Sequence, residues 1–180
     1  MRHPRHCFLL LMLVSLAACQ REVAPPAPTV PSPFLIKASI REIMDAEIDP
    51  AADVLWESVA IINAEEKQPR TPEEWQAVRR SAITLIEATN LIVMDGRRIS
   101  PAGGRYPDEA DPTVLQQRFE ANRASFVAMA QALRAVGLKT LDAIDAKDAK
   151  RMFELGGDLD EACEACHLVY WYPKDLEPKR

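Results

Sequence analysis

Apolar residues recur every three or four positions over most of this 180-residue chain after residue 33. That spacing is typical of amphipathic helices, which bury one face and leave the other in water. No convincing run of alternating apolar and polar residues, the pattern of a half-buried strand, is present. The pattern therefore predicts an all-α domain with four helical regions.

The first predicted helix follows Ser32-Pro33, a capping residue and a proline that the first turn tolerates. Its apolar positions are Ile36, Ile40, Ile43, Met44, Ile48, Leu55, Val59 and Ile62. Pro50 interrupts them, and an internal proline removes one helical hydrogen bond and crowds the preceding turn. Asp49 can cap a restarted segment. We therefore expect the first helix to be kinked or split at Pro50.

The other three predicted helices have clear start signals. Thr71-Pro72-Glu73-Glu74 is a capping box with proline in the first turn, and this helix stops near Gly96. Asp111-Pro112 begins the third helix, which ends near Asp145, and Asp145 can cap a fourth helix that runs to about Trp171. Short connections favour an up-down-up-down four-helix bundle.

The N-terminus has the composition of an export signal. Residues 1–18 combine a positively charged start with an apolar stretch that is too short to span a membrane. Leu16-Ala17-Ala18-Cys19 resembles a bacterial lipobox, which implies cleavage before Cys19 and lipid on its sulfur. An ordinary signal followed by a coincidental cysteine is the alternative.

A proline-rich tract separates this signal from the predicted bundle. Residues 19–33 contain five prolines, which exclude helix and favour an extended tether behind the lipidated Cys19. Residues 34–180 are then enough for one domain of ordinary size. The chain is thus divided into a signal, a tether and a helical domain.

One motif in the fourth predicted helix carries chemistry. Cys163-Glu164-Ala165-Cys166-His167 has the C-x-x-C-H spacing of covalent c-type haem attachment. Two thiols form thioethers with the vinyl groups on one edge of a porphyrin, and the next residue places an imidazole under the iron. His3 and His6 would leave with the signal, so His167 would be the only histidine of the mature protein.

Two other uses of a C-x-x-C pair are a zinc site and a redox dithiol. A zinc site needs further ligands, and the chain has no second cysteine pair and no other mature histidine. A thioredoxin-like dithiol belongs to a βαβ pattern, which is not predicted here. We therefore expect one covalently bound haem c, held by Cys163, Cys166 and His167. No cysteine then remains for a structural disulfide, because Cys7 leaves with the signal and Cys19 is lipidated.

A four-helix bundle with C-x-x-C-H on its last helix resembles the class II c-type cytochromes, the cytochrome c-prime family. The resemblance covers roughly residues 34–172. It implies one of two iron environments. In one, the iron is five-coordinate beneath a closed apolar pocket; in the other, a methionine of the first helix is the sixth ligand.

Met44 falls where the methionine-ligated branch has its ligand, and we predict that Met44 binds the iron opposite His167. Met94, near the end of the second helix, is the alternative at the same end of the bundle, and an open site is a further one. Met152 lies about 22 Å before His167 on the same helix, and Met129 about 25 Å from the haem end, at 1.5 Å per residue. Both are expected to be ordinary core.

Methionine–histidine ligation raises the reduction potential and favours electron transfer over gas chemistry. The predicted function is therefore a monohaem electron carrier and not an enzyme. The alternative is a five-coordinate protein that binds nitric oxide or another small gas. A peroxidase-like enzyme is less well supported, because the mature chain lacks a distal histidine.

Charge and export bear on location and partners. Removing the two arginines of residues 1–18 takes the formal net charge from −5 to −7. Such an acidic protein does not suggest a nucleic-acid partner, and we expect positively charged redox proteins instead. The lipid on Cys19 would be the only membrane contact, with the domain in the periplasm, and Gln20 after it points to the outer membrane. Pairing of two copies is left open.

Overall fold

The computed structural model describes residues 33–62, 65–101 and 110–172. The predicted signal at residues 1–18, Cys19 and residues 20–32 of the tether lie outside the described residues. The elements below all belong to the unit Leu35–Arg180.

The first arm of the fold begins with α1, Ile40–Ile43, which is followed by a π-helical turn, Met44–Ile48, and by α2, Asp49–Ser58. The predicted start after Pro33 is wrong. Ser39 and Glu42 form a reciprocal capping box: the Glu42 N–H donates to Ser39 Oγ at 3.2 Å, and the Ser39 N–H donates to the Glu42 carboxylate at 2.8 Å. This cap fixes the start of the helix at Ile40.

The interruption expected at Pro50 is present as the π-helical turn that directly precedes it. The Asp49 N–H donates to the carbonyl of Met44, five residues back, where an α-helix would use the residue four back. Pro50 lies in the first turn of α2, where its missing N–H is tolerated. The predicted capping role of Asp49 is wrong, because Asp49 is the first residue of α2 and the helix has no side-chain cap.

A short antiparallel hairpin, which the sequence pattern did not predict, joins the first arm to the next helix. Strands β1, Ala60–Ile62, and β2, Glu65–Lys67, pair with Ala60 opposite Lys67. Three residues per strand are too few for an alternating pattern to be recognised, and every residue of β2 is exposed.

The remaining helices are α3, Pro72–Ile92, α4, Pro112–Ala121, α5, Arg123–Asp145, and α6, Ala149–Tyr170. The predicted caps Thr71 and Asp111 are confirmed, since their side chains accept backbone N–H groups of α3 and α4. The third predicted helix is instead two helices, α4 and α5, separated at Asn122.

The start of α6 also differs from the prediction. Asp148, not Asp145, caps this helix by accepting the Arg151 N–H at 2.9 Å. Asp145 instead accepts a hydrogen bond from Arg79 Nε at 2.7 Å, which joins the end of α5 to the beginning of α3. Asp145 thus links two helices and does not begin a third.

Contacts between neighbouring helices show that they run antiparallel. Trp56 Nε1, near the end of α2, donates to the carbonyl of Gly156 in the first half of α6 at 3.0 Å. The Tyr170 hydroxyl, at the end of α6, donates to the carbonyl of Asn122 before α5 at 3.0 Å. The predicted four-helix bundle is confirmed, with the first arm, α3, α5 and α6 as its four arms. Among the described residues, no helix is long and apolar enough to cross a membrane.

Candidate functional site

The C-x-x-C-H side chains lie on one face of α6. Cys163, Cys166 and His167 are spaced three and four residues apart, which places them on neighbouring turns, and all three are half-buried. They line a cleft whose other walls come from the first arm, α3 and α5: Met44, Ile48, Asp49, Ile92, Met129 and Leu133. Every arm of the bundle thus contributes to the cleft.

Met44 lies in this cleft at the first position of the π-helical turn. Its side chain is only 6% exposed. π-Helical turns are rare and occur frequently at functional sites. The structure therefore brings Met44 and His167 to the same cleft, and binding of iron by the Met44 sulfur stays a prediction.

Met94, the alternative ligand, does not line the cleft. Its sulfur accepts a hydrogen bond from Arg97 Nη2 at 3.4 Å. Arg97 is itself buried, and it also donates to the backbone carbonyls of Leu91 and Ala38. Met94 is therefore part of a network that joins the end of α3 to the residues before α1.

Met129 was expected far from the motif, and this expectation is wrong, because Met129 lines the cleft. The expected distance of about 25 Å from the haem end requires a single helix from Asp111 to Asp145. Instead α5 begins at Arg123, where Asn122 is hydrogen-bonded to Tyr170 at the end of α6. Met129 is six residues into α5, about 9 Å along its axis, and so lies level with the motif.

Met152 is buried core, as expected, with 3% of its surface exposed. It lines a separate cavity near Trp56, towards the opposite end of the bundle. Met152 therefore cannot serve the same site as His167.

Burial makes both thiols of the motif weak acids. It raises the pKa of Cys163 to about 11, with the negative charges of Asp49 and Asp160 adding to the effect. It raises the pKa of Cys166 to about 12, with a further contribution from Cys163. Reactive dithiols depend on a thiolate with a lowered pKa, so this environment is the opposite of what the redox alternative requires.

The zinc alternative gains no support from the structure either. Within residues 33–62, 65–101 and 110–172, no group of three or more His, Cys, Asp and Glu side chains is placed to hold a metal ion. A protein-only zinc site needs at least three such ligands.

Two aromatic residues lie beside His167 where α6 ends. The ring of Trp171 lies 5.9 Å from the imidazole, centroid to centroid, at 67°, and that of Tyr172 lies 6.3 Å away at 86°. The backbone N–H groups of both residues donate to the His167 carbonyl, at 2.8 and 2.9 Å. The chain therefore turns back over His167 as α6 ends.

Asp49 is a site residue that the sequence did not indicate. Its carboxyl lines the cleft, and partial burial raises its pKa, opposed chiefly by His167 and reinforced by Asp45. Asp49 directly follows the π-helical turn, and its N–H donates to the carbonyl of Met44, five residues back. No residue pattern in the sequence signals that turn.

The donor set of the cleft fits a covalently attached haem. Two thiols three residues apart suit the two thioether bonds, and an imidazole nitrogen and a thioether sulfur are common axial ligands of haem iron. The remaining wall includes the apolar side chains of Ile48, Ile92 and Leu133. Free space in the cleft is only about 20 Å³, so the surrounding side chains must move apart to admit a porphyrin.

Comparison with known proteins finds similarity in fold alone. No known protein family matches the chain, and no curated protein matches it significantly. A solved structure of a cytochrome c′ aligns with a TM-score of 0.50 at 18% identity, over 75% of this chain and 98% of that chain. A leucine-to-alanine mutant of cytochrome c prime from Alcaligenes xylosoxidans, solved as its nitric oxide complex, aligns with a TM-score of 0.47 at 18% identity, over 75% and 97%. The chain thus has a four-helix bundle of the cytochrome c′ kind.

Proposed function

We propose that this protein is a monohaem c-type cytochrome that transfers single electrons. The observation that carries the proposal is the meeting, in one cleft, of the Cys163, Cys166 and His167 face of α6 with Met44 of the first arm. The cytochrome c′ fold of the chain supports the coarser part of this proposal, a haem c protein.

Each residue has a defined task. Cys163 and Cys166 would hold the haem through thioether bonds, and His167 would bind the iron. Met44 would supply the second protein ligand, and this pair of ligands would raise the reduction potential. The haem supplies a reversible one-electron change between ferric and ferrous iron. The apolar walls and the aromatic residues after α6 keep water from the ligands.

Met44 is a better candidate for the sixth ligand than Met129, although both line the cleft. Met44 is almost fully buried, whereas Met129 is only half-buried. Met44 also lies in the π-helical turn, an irregularity that is commonly retained for function. Met129 then fills space beside the porphyrin, as flexible methionine side chains often do.

The proposal extends to the cell envelope. The export signal and the lipobox resemblance support a periplasmic domain that is attached to a membrane through lipid on Cys19. Its acidic charge supports basic redox proteins as partners.

The first test is haem attachment and iron spin state. The full chain is produced in a bacterium that matures c-type cytochromes, and the mass of the mature protein is measured. We expect one haem that is not removed by acid–organic extraction, and a low-spin ferric spectrum with a far-red sulfur-to-iron charge-transfer band. A mature protein without covalent haem contradicts the proposal as a whole.

The matched variants Met44→Ala and Met129→Ala then identify the ligand. Met44→Ala should convert the ferric iron from low spin to high spin, and Met129→Ala should leave it low spin. Conversion by Met129→Ala alone would make Met129 the ligand. A wild-type spectrum that is already high spin, and that shifts on addition of nitric oxide, would support the gas-binding alternative.

A further inference from the structure

Trp171 carries a buried polar atom that the roles described so far do not explain. The residue is only 1% exposed, and its indole Nε1–H finds no hydrogen-bond acceptor among the residues that the structure describes. Buried N–H groups in folded proteins are nearly always paired, because leaving one unpaired costs its full desolvation. An unpaired donor of this kind indicates an acceptor outside the residues that the structure describes.

Trp171 itself lies beside His167. The indole ring lies edge-on to the imidazole at 5.9 Å, and the Trp171 backbone N–H donates to the His167 carbonyl at 2.8 Å. Trp171 is therefore held one helical turn beyond the predicted iron ligand.

The order of residues along α6 indicates which part of a haem would face Trp171. Cys163 and Cys166 precede His167, and they would fix the edge of the porphyrin that carries the vinyl groups. The two propionate side chains of haem lie on the opposite edge, and their carboxylates are strong hydrogen-bond acceptors. That edge would extend past His167 in the direction of Trp171.

We propose that the Trp171 indole N–H donates a hydrogen bond to a haem propionate. The inference rests on the proposed function, since it needs a haem attached at Cys163 and Cys166. The bond would satisfy the buried donor and partly offset the negative charge of the carboxylate. Because that charge favours ferric iron, the hydrogen bond would raise the reduction potential.

Trp56 provides a matched comparison. Trp56 is half-buried whereas Trp171 is fully buried, and the Trp56 Nε1–H already donates to the Gly156 carbonyl at 3.0 Å. It lies near the large cavity, away from His167. Replacing either indole by phenylalanine removes one N–H donor and keeps an aromatic ring. The two variants therefore differ in the acceptor that is lost: a backbone carbonyl for Trp56, and the proposed propionate for Trp171.

The first experiment measures the reduction potential of the holoprotein variants. In Trp171→Phe, the ferric-to-ferrous ratio at a fixed applied potential should rise about threefold, which is about 28 mV for a one-electron couple. Trp56→Phe should leave the ratio unchanged. An equal shift in both variants, or no shift in Trp171→Phe, would overturn the proposal, because a role in packing alone changes stability without moving the potential.

The second experiment uses the unaltered protein and so does not depend on the folding of a variant. In the ferrous protein, which is diamagnetic when histidine and methionine both bind the iron, proton NMR should show a nuclear Overhauser contact between the Trp171 indole N–H and a propionate methylene. Contacts to protein protons only would contradict the inference. Absence of covalent haem would refute the proposed function, whereas attached haem without this contact would refute the role of Trp171 alone.

Discussion

The two ends of the bundle differ in free volume and in the side chains that could bind a metal or cofactor. Near Trp56 a cavity of about 240 Å³ is enclosed mainly by apolar side chains, among them Leu55, Met152 and Leu155. At the other end, the cleft beside His167 has about 20 Å³ of free space but is lined by residues with two thiols, an imidazole, two thioethers and a carboxyl.

Size alone would favour the Trp56 cavity over the His167 cleft. The largest apolar pocket is the usual first hypothesis, but it needs convergent polar groups to become a site. Thr140 is a polar residue of the Trp56 cavity, and its hydroxyl already donates to the Val136 carbonyl at 3.0 Å. The donor atoms therefore favour the His167 cleft as the candidate functional site.

Truncating one leucine at each end tests this division with the largest expected effect. Leu155→Ala at the cavity and Leu133→Ala at the cleft each remove a buried side chain, 1% and 5% exposed respectively. Each should reduce the free energy of unfolding by about 2–5 kcal/mol, measured by denaturant titration. Only Leu133→Ala should also alter the iron absorption spectrum. An equally large spectral change in Leu155→Ala would show that the two ends are not independent.

Removing the negative charge of Asp49 tests, through the reduction potential of the iron, whether the charged groups of the cleft act on a haem bound there. Its carboxylate acts electrostatically on both His167 and Cys163, so it should stabilise the ferric state. Asp49→Asn should raise the midpoint potential by about 60 mV, a tenfold change in the ferric-to-ferrous ratio, as expected for a partly screened charge near the iron. The measurement is a spectroscopic redox titration.

Asp53→Asn is the matched control for this change. Asp53 lies one turn later on α2, is exposed as Asp49 is, and loses the same charge, but it does not line the cleft. Its midpoint potential should move much less than that of Asp49→Asn. Equal shifts in the two variants would mean that net charge sets the potential and that the position of Asp49 has no special effect.

Local patterns explain why part of the site could be predicted from the sequence. The shared face of Cys163, Cys166 and His167 follows from helical spacing alone, and Thr71 and Asp111 are caps that act within one turn. The placement of Met44 in the cleft also followed, because its level on the first arm could be counted from the antiparallel order of the helices.

The remaining site residues depend on irregularities that periodicity does not reveal. Phe119 and Phe126 are both buried and pack edge to face, with ring centroids 4.9 Å apart, so the apolar spacing continues across the break at Asn122. That break changes the register of α5 against α6, and it brings Met129 into the cleft. Asp49 was missed for a similar reason. The π-helical turn before it is defined by backbone hydrogen bonds, which the spacing of apolar residues does not reveal.

The smallest expected effect tests whether the wall of the large cavity is under any functional constraint. Gly157 lies within α6 with no atom within 4 Å of where a Cβ would be, so nothing in the packing requires glycine there. Gly157→Ala should stabilise the protein by about 0.5–1 kcal/mol, since alanine loses less backbone entropy in a helix. That gain corresponds to a rise of roughly 2–4 °C in Tm, measured by thermal unfolding.

Gly156→Ala should gain less, because its Cβ would meet Trp56 Cδ1 at 3.4 Å beside the hydrogen bond that Trp56 makes to this residue. Neither variant should change the iron spectrum or the midpoint potential. A change in either property with Gly157→Ala would show that the cavity end communicates with the iron, and the separation of the two ends would then be wrong.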